Sequence, residues 1–195
     1  DAATVAELVT INAATTGGIT LSTETIAANL TGTAADLTSA FTGITSHSGT
    51  LTITGGTAAT IAQLITINAA TDDTVTLNTA TIEANFSDTV ANLVLAFAGI
   101  SSHTGTIAAT GTAPTVAQAN TLDAVTAGVL TATVADTATN LATLTGTGNA
   151  YTVTISEGST ATIAELVTIN AATTGGITLS TETIAANYSD TVANL

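Results

Sequence analysis

Threonine alternates with aliphatic residues through much of the chain. Thr50-Leu-Thr-Ile-Thr54, Thr74-Val-Thr-Leu-Asn78, Leu130-Thr-Ala-Thr-Val134 and Tyr151-Thr-Val-Thr-Ile-Ser156 all keep a period of two. That period sends successive side chains to opposite faces of a strand. Leu51, Ile53, Val75, Leu77, Val153 and Ile155 are therefore predicted to face a core. Thr50, Thr52, Thr54, Thr74, Thr76, Thr152 and Thr154 are predicted to face away from it. Between these runs the period changes to that of a helix. In the segment Thr115 to Val125, the residues Val116, Ala119, Leu122 and Val125 share one face. Such segments open on Thr with Glu or Gln three residues later: Thr4/Glu7, Thr60/Gln63, Thr115/Gln118 and Thr162/Glu165. This is the capping-box pattern, in which each side chain satisfies an N–H that the helix leaves free. Gly17-Gly18, Asp72-Asp73, Gly128 and Gly146 mark the turns that follow.

The pattern recurs. The four capping signals start 56, 55 and 47 residues apart, which gives long repeats at 4–59, 60–114, 115–161 and 162–195. A second signal falls inside them, at Gly32-Thr-Ala-Ala-Asp-Leu37, Asp88-Thr-Val-Ala-Asn-Leu93, Asp136-Thr-Ala-Thr-Asn-Leu141 and Asp190-Thr-Val-Ala-Asn-Leu195. It begins 28 residues after Thr4, Thr60 and Thr162, but only 21 after Thr115. The unit is thus about 28 residues, and the third long repeat lacks seven, read as a loop or lateral insertion. The stretch AELVTINAATTGGITLSTETIAAN occurs at 6–29 and again, letter for letter, at 164–187.

Units this short cannot each close a core, whereas stacked units can. The expected fold is an α/β solenoid over 1–195, a parallel sheet of stacked helix-turn-strand coils of about 28 residues. A pure β-solenoid is the competing arrangement, because Leu166-Val-Thr-Ile-Asn170 also alternates like a strand. The last six residues read as a further helix start, so more repeats or end-to-end stacking are expected beyond both ends. No secretory leader is visible at Asp1.

Composition narrows the partners. The 195 residues include 14 acids and no Lys or Arg, for a formal charge of -14. Phosphate contacts from cationic side chains are impossible, which argues against nucleic acid and anionic lipid as partners. With no Cys there are no disulfides or thiolate metal sites. No apolar run is long enough to span a membrane. Thr makes up about a quarter of the chain, aromatics number five, and the mean hydropathy is +0.53, which fits a narrow ordered core rather than disorder.

Candidate chemistry is sparse. Stacked Thr faces would form a flat array suited to ice or polysaccharide, although β-branched Thr is also simply a good polar strand former. Asn12, Asn68 and Asn170 share one phase, with Asp123 in the short repeat, and Asn29, Asn85 and Asn187 share another. Stacked amide ladders are expected there. The second set also matches the glycosylation acceptor pattern, which is a weak signal in a chain this rich in Asn and Thr. His47 and His103 occupy equivalent loops, too far apart for one metal. Asp72-Asp73 could place two carboxylates beside Ca²⁺, but calcium takes six to eight oxygens. Ser, His and Asp occur as repeated copies, whereas an active site is a single asymmetric constellation. No catalytic, cofactor or metal residue is nominated, and the chain does not read as an enzyme.

Leu30-Thr-Gly-Thr-Ala-Ala-Asp36, Leu144-Thr-Gly-Thr-Gly-Asn-Ala-Tyr-Thr-Val-Thr-Ile155 and Asp136-Thr-Ala-Thr-Asn-Leu141 resemble the repeats of giant Thr- and Ala-rich bacterial cell-surface proteins, frequent in cyanobacteria. The resemblance implies secretion and a structural or adhesive role. The expected function is a structural segment of an extracellular filament, surface layer or matrix fibre, with self-association as the main partnership. An adhesin module with a Thr-lined face for ice or polysaccharide is the alternative. The absence of Lys and Arg departs from the resemblance.

Overall fold

A computed structural model describes residues 1–190. Of the helix start read in the last six residues, 191–195 lie outside them. The described residues form ten helices and eight strands in two compact units. One unit comprises Asp1–Ala84 and Ala91–Gly105, the other Asn85–Val90 and the chain from Thr106 onward.

The first unit holds α1 (Val5–Ala14), α2 (Thr23–Ile26), β1 (Leu30–Thr33), α3 (Ala34–Phe41), β2 (Leu51–Thr54), α4 (Ile61–Ala70), β3 (Val75–Thr76) and α5 (Thr79–Ile82). Its three strands make a parallel sheet in the order β1-β2-β3. Leu30 pairs with Leu51, which pairs with Val75. The second unit begins with β4 (Phe86–Thr89). From there α6 (Val90–Ala96) leads back into the first unit, and the chain re-enters the second at β5 (Ile107–Thr110). There follow α7 (Val116–Val125), β6 (Leu130–Asp136), α8 (Ala138–Leu141), β7 (Ala150–Ile155), α9 (Ile163–Ala172), β8 (Ile177–Thr178) and α10 (Thr181–Ala185). This unit carries a five-stranded parallel sheet, β4-β5-β6-β7-β8.

Local chemistry sets these elements. All four capping boxes form; Thr60 N–H donates to Gln63 Oε1 at 2.9 Å and Gln63 N–H to Thr60 Oγ1 at 3.2 Å. Each cap stabilises its helix by about 1 kcal/mol. The second signal also starts helices, but the caps are Thr33 and Thr137 rather than Gly32 and Asp136. Leu51, Ile53, Val75, Leu77, Val153 and Ile155 are buried as the alternation required, and the intervening threonines face outward. Val116, Ala119, Leu122 and Val125 line the inner face of α7.

The expected solenoid does not form. The strands divide into two sheets instead of one continuous ladder, and the elements do not repeat as uniform coils. A pure β arrangement fails as well, since residues 166–170 lie within α9. The short helices explain the division. In the second long repeat α5 separates β3 from β4, so β3 ends one sheet and β4 begins the other. The third repeat lacks the seven residues that build this helix. There β6 runs unbroken and pairs with β5 on one side and β7 on the other. The missing segment is therefore a helix, not a loop.

Candidate functional site

The polar side chains singled out by the sequence hold the backbone together. The Asn sets do not stack amide on amide. Asn12 Nδ2 donates to the carbonyls of Ser39, Ala40 and Thr42 at 3.0, 3.2 and 3.0 Å, closing the end of α3, where the last carbonyls lack helical partners. Asn68 does the same for Leu95 and Ala98. In the short repeat the clasp is Asn120, which donates to the Thr143 carbonyl and accepts from Thr145 N–H, each at 2.9 Å. Asp123, at the phase of Asn12, instead accepts from Thr145 Oγ1 and from Asn149 Nδ2. Asn29 and Asn85 accept from Thr50 and Thr106 N–H. Asn170 and Asn187 are exposed.

The two histidines are buried beside phenylalanines. His47 meets Phe41, and His103 meets Phe97, with ring centroids 5.1 Å apart in both pairs. His103 Nε2 lies 2.9 Å from the Ala84 carbonyl. Neither ring nitrogen of His47 reaches a hydrogen-bonding geometry. Nearby backbone at Ala28 and Gly49 favours its charged form, yet burial outweighs it, and burial likewise holds the affinity of His103 for a proton below the ordinary value. Asn149 takes the corresponding place in the second unit: it bridges to Thr173 as His47 bridges to Thr71. Its amide reaches the phenol of Tyr151, whose ionisation is pushed up by burial and the Asp123 carboxylate.

Sequence reasoning missed a third set. Thr25, Thr81 and Thr183 are buried in the short helices, and each accepts the N–H of the residue just before a long helix's cap. These bonds are Ala3 to Thr25 at 2.9 Å, Ala59 to Thr81 at 2.8 Å and Ala161 to Thr183 at 3.0 Å. The recurring Thr-x-Thr-Ile was the available signal.

These groups offer no reactive constellation. Asp73 accepts from Thr74 N–H and Thr50 Oγ1. Among the described residues, no three metal-ligating side chains gather, and no helix is long and apolar enough to cross a membrane. The Thr faces are partly in register. Thr31, Thr52 and Thr76 form one row, whereas Ser87, Ala108 and Thr131 break the corresponding row in the second unit.

What stands out is an asymmetry between near-identical helices. In α4, Ile61, Leu64, Ile67 and Ala70 are all buried. In α1 the equivalents Val5 and Leu8 are buried, but Ile11 is 47% exposed and Ala14 and Thr15 are open. In α9 the pattern inverts. Ile169, Ala172 and Thr173 are buried, while Ile163 and Leu166 are only half-covered. Beyond α9, Ile184 is 71% exposed. Nearly the same sequence thus leaves one flank bare in α1 and the opposite flank only half-covered in α9. Asp1, Ala2, Ala3, Ala6, Glu7, Thr10 and Ile11 line an open groove along the bare flank of α1. Comparison with protein-family models, curated proteins and solved structures returns no match for this chain.

Proposed function

We propose that this chain is a structural repeat segment of a secreted bacterial protein that assembles into an extracellular filament, surface layer or matrix fibre. The observation that carries the reading is the pair of near-identical helices, α1 and α9, left incompletely covered on opposite flanks. Two different patches that meet give a heterologous contact, which propagates instead of closing. The polar inventory agrees, because its Asn, Thr and His groups serve backbone and packing. The test is sedimentation and negative-stain microscopy of the purified chain at rising concentration. Filaments or sheets are expected. Isolated particles at every concentration and salt would remove the reading.

The registered row Thr31, Thr52 and Thr76 supports a second reading, a Thr-faced module that binds ice or polysaccharide. Thermal hysteresis and glycan-array measurements test it, and silence in both would dismiss it.

A further inference from the structure

The two copies of AELVTINAATTGGITLSTETIAAN are in different states, and the difference identifies what the first copy lacks. In the second copy, the turn after α9 lies on β7. Thr173 Oγ1 donates to the Tyr151 carbonyl at 2.7 Å and Thr174 N–H to the Asn149 carbonyl at 2.7 Å. Val153 N–H donates to the Gly176 carbonyl at 2.9 Å. Ile177 and Thr178 then pair with Val153 and Thr154, and Ser180 Oγ donates to the Ser159 carbonyl at 2.5 Å. In the first copy, Ile19 and Thr20 pair with no strand among the described residues. Its turn is nonetheless already folded. Gly17 N–H donates to Thr15 Oγ1 at 3.0 Å, as Gly175 N–H does to Thr173 Oγ1 at 2.9 Å. Ala3 N–H is held by Thr25 as Ala161 N–H is held by Thr183.

Resting on the self-assembly reading above, we infer that residues 4–32 of one molecule dock on the β7 edge of a second copy, displacing that copy's own residues 162–190. The incoming segment presents the same letters from 6 to 29, with differences only at Val5 and at 30–32, and its turn has the same local geometry. Thr15 takes the place of Thr173, Ile19 and Thr20 take those of Ile177 and Thr178, and Ser22 takes that of Ser180. The exchange covers Ile11, Ala14 and Thr15 of the incoming copy as it uncovers Ile169, Ala172 and Thr173 of the displaced one, so one set of buried contacts replaces its equivalent. Because the incoming segment is preformed against α3, little ordering opposes docking. Each molecule gives its first copy and receives another's on β7, so the contact is head-to-tail and open, the geometry that yields fibres.

Two neighbouring glycines make a sharp test. A Cβ on Gly175 would stand 2.1 Å from the Tyr151 carbonyl oxygen, whereas a Cβ on Gly17 meets only Thr15 Oγ1, at 3.4 Å. The single molecule therefore has no steric need for glycine at 17, and the docked one does. Gly18 and Gly176 both face open space. The experiment is concentration-dependent sedimentation of the wild-type chain, Gly17→Ala, Gly18→Ala and Gly175→Ala, with melting curves to confirm folding. Gly18→Ala is expected to associate like wild type. Gly17→Ala should melt like wild type but need roughly 10- to 100-fold more protein to associate. Gly175→Ala, which weakens the chain's own segment on β7, should associate at lower concentration than wild type. A Gly17→Ala chain that assembles like wild type would overturn the exchange and leave the assembly reading standing. A Gly175→Ala chain that associates no more readily than wild type overturns the displacement of residues 162–190. A wild-type chain that stays monomeric throughout overturns both.

Discussion

Replacing Thr81 by valine keeps shape and removes one hydroxyl, which isolates the bond between a short helix and the long helix before it. Thr81 is fully buried. Its Oγ1 accepts from Ala59 N–H at 2.8 Å and donates to Asn78 Oδ1 at 2.5 Å. Ala59 is 2% exposed, so no water can replace the lost acceptor. A buried N–H left unpaired costs about 1–3 kcal/mol. Asn78 Oδ1 keeps its bond from Thr81 N–H at 3.0 Å, so the second loss adds little. The expected penalty is about 2 kcal/mol. In Thr25→Val the orphaned donor is Ala3 N–H, which is half-exposed, and solvent limits the cost to about 0.5 kcal/mol. Urea denaturation followed by circular dichroism measures both. Thr81→Ser, which keeps the hydroxyl, should recover most of the loss. If Thr81→Val and Thr25→Val destabilise equally, or Thr81→Ser fares no better than Thr81→Val, the buried bond is not what holds this junction.

Three further outcomes are expected. Ile67→Ala should cost about 2–4 kcal/mol, because Ile67 is fully buried, whereas Ile11→Ala at the same place in α1 should cost under about 1 kcal/mol in dilute solution; equal costs in a chemical melt would contradict the bare flank. Burial lowers the proton affinity of His47 and His103 from an ordinary value of 6.5, so the unfolded chain binds protons first; the first unit should keep its full stability above about pH 6.5 and lose it as the pH falls below that. A chain with both His47→Asn and His103→Asn, which copies the choice made at Asn149, should lose that slope in melts taken from pH 7.5 to 5. Assembly should strengthen with salt or divalent cations, since a charge of -14 with no Lys or Arg repels neighbours over the roughly 10 Å Debye length of 0.1 M salt; light scattering unmoved by desalting and chelation would refute this.

The parts of the structure governed by neighbours along the chain were legible in the sequence. The four Thr caps needed only Glu or Gln three residues on, and the strand faces needed only the period of two. The short helices were not legible. Thr-Glu-Thr-Ile and Thr-Ala-Thr-Ile carry β-favouring residues, and what holds them helical is distant: a buried Thr that receives the N–H of Ala3, Ala59 or Ala161. With those helices unseen, the strand in each repeat looked continuous and the sheet looked unbroken. The Asn phases were found by spacing, but their partners are carbonyls about 27 to 30 residues away on a helix end, and a period alone cannot distinguish that from amide stacking.

The seven-residue difference between long repeats bears on how the molecule comes apart. A ladder of backbone hydrogen bonds transmits cooperativity, since one strand cannot leave without exposing the next. That ladder runs without interruption across β4 to β8 and stops where α5 stands between β3 and β4. Whether a repeat has its short helix therefore decides whether it continues an unfolding block or ends one. Gain or loss of those seven residues changes the size of the block while leaving the caps and the inward alternation of the flanking strands in phase. Moving these breaks along the chain would resize the blocks with no change to the core of either strand face.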